Sequence, residues 1–147
     1  MRSPTIRRGT VAMMVFASVA AVAAVAATAD DDVDYARRLA VQVNEYRTRE
    51  HVAPLAVDAT ISELAREHSA TMAKAGRMSH DDFPSRVRRS GFAMCVENIG
   101  WNYRSAEEQF NGWRRSPGHD HNMLDRRVER MGVAVVAGYV TMIACGK

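Results

Sequence analysis

The chain has 147 residues, 47% of them hydrophobic and 25% charged, with two Cys and a formal net charge of +3. These proportions belong to a folded domain. They exclude a disordered tail, a collagen-like repeat and a dense disulfide scaffold, and the length suits one domain.

The amino terminus is laid out as an export signal. Arg2, Arg7 and Arg8 form a basic start, and residues 11–27 are apolar apart from Ser18. Ala27-Thr28-Ala29 then supplies small residues ahead of the acidic run that begins at Asp30. This order predicts a signal peptide over residues 1–29 and a single domain over residues 30–147. A membrane anchor is the competing reading, but the run is short and dominated by weakly hydrophobic Ala. Two adjacent Arg do not by themselves establish twin-arginine export. Cleavage would leave 118 residues and remove three Arg and no acid, so the +3 of the whole chain falls to zero. A charge-balanced domain offers no electrostatic argument for nucleic acid as a partner. The expectation is therefore a secreted or periplasmic monomer with no nucleic-acid partner and no stable membrane insertion once the signal is removed.

Past the signal, Ala36, Leu39, Val43 and Tyr46 recur at spacings of three and four, which predicts a helix running to about Arg49. Pro54 stops any continuation. A second helix is expected from Asp58 or Thr60, with a stripe of Ile61, Leu64, Ala65, His68, Met72 and Ala75, closed by Gly76. A polar loop over residues 77–82 leads to a short basic helix that opens at Pro84 and closes at Gly91.

Residues 92–99 read as a strand with Ala93, Cys95, Glu97 and Ile99 on one face, and residues 100–104 as a loop. Ser105 with Glu108 is a capping box that starts a helix burying Ala106, Phe110 and Trp113, which Pro117-Gly118 is expected to end. A further helical turn is expected over residues 119–124. Two apolar β-rich runs, residues 132–137 and 139–144, flank Gly138 as a closing hairpin. The order of elements indicates an α+β domain, a small antiparallel sheet covered by helices.

The five His are dispersed. His51 lies in a connector. His68 falls on an apolar helical stripe and reads as a hydrogen-bonded core residue. His80 sits in the polar loop Met78-Ser79-His80-Asp81-Asp82, and His119 at a helix–turn junction. Glu97 is a carboxylate in mid-strand, costly there unless paired. Cys95 and Cys145 both lie in expected strands of an exported chain with no odd thiol, which favours a Cys95–Cys145 disulfide over two buried free thiols. Closing a loop of about 50 residues would stabilise the fold by up to about 4 kcal/mol in the chain-entropy model.

Taken in order, the motifs resemble a known family. Asn44-Glu45-Tyr46-Arg47, Pro54-Leu55 and Asp58, the run of residues 65–73, Ser79-His80-Asp81, Glu97-Asn98-Ile99, Trp113 through His119, Asn122-Met123-Leu124 and Gly132-Val133-Ala134 are similar to the CAP superfamily. That superfamily comprises the cysteine-rich secretory, antigen 5 and pathogenesis-related proteins, or SCP domains. The resemblance is to its short bacterial branch and spans about residues 38–145. It implies a three-layer α–β–α sandwich with a cleft in which two His and two acids can hold a divalent metal. On that pattern His80 and His119 match the two His, and Glu97 one acid. Val96 stands where the family usually has Gly, and Arg115 and Ser116 stand where the second acid is usual.

The resemblance thus implies a His80–Glu97–His119 metal set for Zn²⁺ or another divalent ion, bound weakly and optionally. Two imidazoles and a carboxylate form a recognised zinc set with an open fourth position. It also implies a binding module for a small molecule, a lipid or a cell-envelope or extracellular protein. The alternative is a metal-dependent hydrolase of peptide, ester or cell-wall substrates, with His80, Glu97 and His119 as its catalytic residues. Trp101 and Tyr103 are plausible contact aromatics for the first reading, or simply cover for the sheet edge.

Overall fold

The computed structural model describes the backbone of residues 19–147 and the side chains of residues 31–147. The basic start and much of the apolar run of the expected signal peptide lie outside the described residues. The first helix, α1 (Val19–Arg49), buries Leu39, Val43 and Tyr46 as their spacing predicts. A two-residue strand, β1 (Ala56–Val57), leads through the N-cap Asp58, which accepts from the Ile61 amide at 3.0 Å, into α2 (Ala59–Ala75). Gly76 closes α2 in the left-handed conformation at φ 65°. The short α3 (Phe83–Ser90) follows, with Pro84 in its first turn and Gly91 at its end.

Strand β2 (Met94–Trp101) runs two residues further than its apolar pattern suggests, because Gly100 and Trp101 still pair with Val140 and Tyr139 and the Trp101 ring stacks on Tyr139 at 5.7 Å. Trp101 thus covers the sheet end, yet remains half exposed. Ser105 caps α4 (Ala106–Arg114) by accepting from the Glu108 amide. Pro117 and Gly118 do not end this helix. α4 closes at Arg115, and Pro117 instead occupies the first turn of α5 (Pro117–Leu124), where its missing N–H costs nothing. Strands β3 (Arg130–Val136) and β4 (Tyr139–Gly146) form the closing hairpin around Ala137-Gly138.

The sheet order is β1-β3-β4-β2. β2, β4 and β3 are antiparallel, as the sequence pattern indicates. β1 adds a short parallel pair against Arg130 and Met131, so the sheet is mixed rather than purely antiparallel. Two residues are too few for a periodicity to show. One face carries α1, α4 and α5 over a core of Leu39, Phe110, Trp113, Met123, Met131 and Met142. The other carries α2, whose Ile61, Leu64 and Ala65 pack on Ala134, Ile143 and the disulfide partner Cys145. Gly132 permits that contact, since a Cβ there would lie 2.2 Å from the Ser62 amide nitrogen. The result is the three-layer α–β–α arrangement.

The disulfide joins Cys95 and Cys145, directly opposed across β2 and β4. Arg47, fully buried at the end of α1, donates to the carbonyls of Ala53, Met123 and Asp125 at 2.8–2.9 Å and ties α1 to the end of α5. Among the described residues, no helix is long and apolar enough to cross a membrane.

Candidate functional site

Glu97 organises the site. Strand alternation turns its side chain to the α2–α3 face, where only 1% of the side chain is exposed. A carboxylate so placed must be compensated, and Arg86 does this. The inward face of α3 carries the half-buried Phe83 and the buried Arg86 and Ser90 at spacings of three and four, so Arg86 points inward. Its Nε donates to Glu97 Oε2 at 2.7 Å and its Nη2 to Oε1 at 2.8 Å, a two-toothed pair. Its Nη1 donates to the Asp81 carbonyl at 2.8 Å.

His80 completes the group. Its Nδ1 lies 2.8 Å from Glu97 Oε1. A carboxylate paired with guanidinium can only accept, so Nδ1 carries a proton, and in the neutral ring Nε2 keeps its lone pair. The side chain is 55% exposed, so the ring lies at the protein surface, and among the described residues no hydrogen bond reaches its Nε2. The loop holding His80 is braced from within. The Asp81 amide donates to Ser79 Oγ, Arg77 pairs with Asp81, and the Phe83 amide donates to the His80 carbonyl. The Asp81 carboxyl is held low first by Ser79 and then by Arg77, so it serves the loop and not the ring of His80.

His68 is the buried, hydrogen-bonded histidine that its stripe indicates. Its Nε2 lies 2.7 Å from the Ser79 carbonyl and must donate to it. Arg86 Nη2, 3.3 Å from the same nitrogen, is therefore a like-polarity neighbour and not a donor to it. Burial pushes the His68 imidazolium down, with Arg86 acting in the same direction and Glu97 against it. His68 thus fixes the segment from which His80 projects.

His119 arrives from the other layer, at the start of α5. Asn98 donates to its carbonyl at 3.0 Å. Asn122 bridges the Glu97 carbonyl and Asn98 Oδ1, and so locks α5 to β2. The His119 ring is half-buried and tilts against Trp113 at 6.3 Å. Burial first, and then the neighbouring His80, lowers its pKa. The fold therefore hydrogen-bonds His80 to Glu97 and sets His119 within electrostatic reach of His80.

A divalent ion fits this arrangement only in part. Both Glu97 oxygens already face a permanent cation, so an ion bound there would sit against the Arg86 guanidinium. Among the described residues, no group of three or more His, Cys, Asp or Glu side chains has metal-holding geometry. The free Nε2 of His80 and the His119 ring remain suitable donors, with Glu97 as the outer carboxylate that orients His80.

The sequence pattern gives no role to Arg86, and it places Asn98 and Asn122 only as members of the motifs Glu97-Asn98-Ile99 and Asn122-Met123-Leu124. Arg86 was detectable as a cation inside an inward-facing spacing on α3, opposite a mid-strand acid. The two Asn stand in recognisable motifs, but their part in bracing α5 against β2 shows only in the fold.

Comparison with known proteins agrees with the fold and the motif order. The family profile for CAP, the cysteine-rich secretory protein family, matches residues 42–142. The chain belongs to the CAP family. Among its relatives, the Bacillus subtilis protein YkwD is 27% identical over 109 residues, covering 69% of this chain and 42% of YkwD. A Bacillus anthracis extracellular protein containing an SCP domain superposes with a TM-score of 0.75 at 25% identity, covering 79% of this chain and 41% of that one. An outer surface protein of Borrelia burgdorferi, 16% identical, shares the fold with a TM-score of 0.69 over 76% of this chain and 91% of its own. The chain thus spans about two fifths of YkwD and of the Bacillus anthracis protein.

Lowered imidazole pKa values set a pH response. A His depressed in the folded chain stays neutral there while the unfolded chain takes up a proton near pH 6.5. Stability is therefore complete above about pH 6.5 and falls as the pH drops through the folded values of His68 and His119. Thermal melts from pH 7.5 to 5 should show Tm decreasing with acid. His68→Gln, which can still donate to the Ser79 carbonyl, should flatten that decline. An equal slope in the variant would place the acid sensitivity elsewhere.

Proposed function

We propose that this chain is an exported CAP binding module that receives a small ligand at His80 and His119, with a weakly held divalent metal as an optional part of the site. One observation carries the reading: the Glu97 carboxylate, neutralised by Arg86, holds the half-exposed His80 by Nδ1 and leaves Nε2 without a hydrogen-bond partner among the described residues. A pinned imidazole with an outward lone pair accepts a hydrogen bond from a ligand or coordinates a soft cation. Export is supported by the signal-like first 29 residues, by the disulfide and by the extracellular and outer-surface descriptions of two structural neighbours.

Calorimetric titration with Zn²⁺ tests the metal. Wild type should bind weakly, and His80→Ala and His119→Ala should each reduce affinity at least tenfold. Null heats in all three proteins would remove the metal and leave the organic ligand alone.

The same Glu97–His80 pair favours a second reading, hydrolysis. A carboxylate-backed imidazole is a general base able to activate water toward an ester, peptide or cell-wall substrate. That reading requires turnover that disappears in His80→Ala. A substrate panel without turnover eliminates it.

A further inference from the structure

We propose that the outer edge of β3, at Val133 and Val135, is a docking site for an extended peptide that joins the sheet as an added strand. The edge is built but unfilled. In the β3–β4 hairpin, Val136 pairs with Tyr139 across a two-residue turn, so the even-numbered residues of β3 direct their N–H and C=O groups toward β4. The odd-numbered residues direct theirs outward, and Met131 shows it, since its carbonyl accepts the Asp58 amide at 2.9 Å. β1 pairs only as far as Met131, because the chain turns into α2 at Asp58. Beyond that point, among the described residues, no hydrogen bond reaches the outward backbone of Val133 or Val135.

This open edge forms the floor of a groove of about 540 Å³ between α1 and α2. The walls are apolar, with Val33, Ala36, Val41 and Val57 among them, and Val33, Val41 and Val57 are 69%, 45% and 65% exposed. Arg37 and Arg66 stand on the rim, paired with Asp34 and Glu63, and give it both signs of charge.

These features select the occupant. An acyl chain would cover the walls but would desolvate two amides and two carbonyls without pairing them. An extended peptide pairs them and inserts alternate apolar side chains between the helices. It continues the existing β1–β3 pairing, in the place a longer β1 would occupy. Residues 132–136 can template a strand of roughly five residues. The site is separate from His80 and does not depend on the reading proposed for it.

A phage library of eight-residue peptides, randomised with apolar residues at alternate positions, is panned on the full chain. Wild type should enrich binders. Val133→Pro removes an outward N–H that the fold does not use and should weaken the enriched peptide at least tenfold. Ala36→Trp fills the groove from α1, should have the same effect, and serves if the Pro variant does not fold. His80→Ala should bind like wild type. On peptide binding, hydrogen exchange should slow at the Val133 and Val135 amides. No enrichment on wild type over Ala36→Trp, or a bound peptide that leaves those two amides unprotected, overturns the proposal. Saturable binding of lauric acid that no enriched peptide displaces overturns it as well and assigns the groove to acyl chains.

Discussion

Arg86→Met should cost about 3–5 kcal/mol of folding stability, the range for removing one partner of a buried ion pair. The Met side chain retains much of the volume and leaves Glu97 with His80 as its remaining side-chain partner, in a place where 1% of the carboxylate-bearing side chain meets water. The loss comes less from the pair itself than from the stranded charge. That cause is separable. Glu97→Gln on the Arg86→Met background removes the charge and should recover a large part of the stability, and urea titration of the four proteins of the cycle gives the coupling directly. A single-variant loss below about 1 kcal/mol would mean that the carboxylate had other compensation and that Arg86 does not hold the site. The same cycle carries functional information. If Arg86 and Glu97 together pin His80, nitrogen chemical shifts should report the Nδ1–H tautomer in wild type and a mixture once both are replaced.

The residues that position the site were legible to different degrees, for physical reasons. Helices with a solvent face and a buried face write their period into the chain, and Leu39, Val43 and Tyr46 or Ile61, Leu64 and Met72 lie where that period puts them. Caps are equally local. Asp58, Ser105 and Gly76 act within four residues of themselves. Pairing across distance is different. Whether Gly100 and Trp101 extend a strand depends on Val140 and Tyr139, which lie some forty residues on, and a two-residue β1 has no period at all. Pro117 shows how one local rule can serve two outcomes, since proline both ends helices and begins them.

The site follows the same division. The cost of a mid-strand carboxylate marked Glu97 as a residue needing a partner, but nothing in the chain order says that the partner is Arg86, eleven residues upstream on another element. The motif resemblance identified His80, Glu97 and His119 as a group. The geometry divides their roles: Glu97 faces inward to Arg86 and holds His80 outward, while His119 is supported from the opposite layer by Asn98 and Trp113. A chain with Arg115 and Ser116 in place of a second acid, and with its one acid neutralised internally, presents imidazole rather than carboxylate at the mouth.

That support makes Trp113 the other position of large effect. The indole is 2% exposed in the α1–α4–α5 core, and its Nε1–H donates to the Ile99 carbonyl at 2.9 Å. Trp113→Ala therefore combines the loss of a large apolar side chain, a cavity and an unsatisfied carbonyl, for about 3–5 kcal/mol. In a domain of this size that is a fall in Tm of roughly 10–20 °C by calorimetry. Trp113→Phe separates the contributions, because it keeps most of the packing and loses only the hydrogen bond, at about 1–3 kcal/mol. Since the His119 ring rests against the indole, the Ala variant should also weaken the ligand binding proposed at His119 under conditions where it remains folded, while leaving the His80–Glu97 pair intact. Unchanged melting in Trp113→Ala would place the indole outside the core. A lower Tm with binding unaltered would show that the start of α5 is held by Asn98 and Asn122 without it.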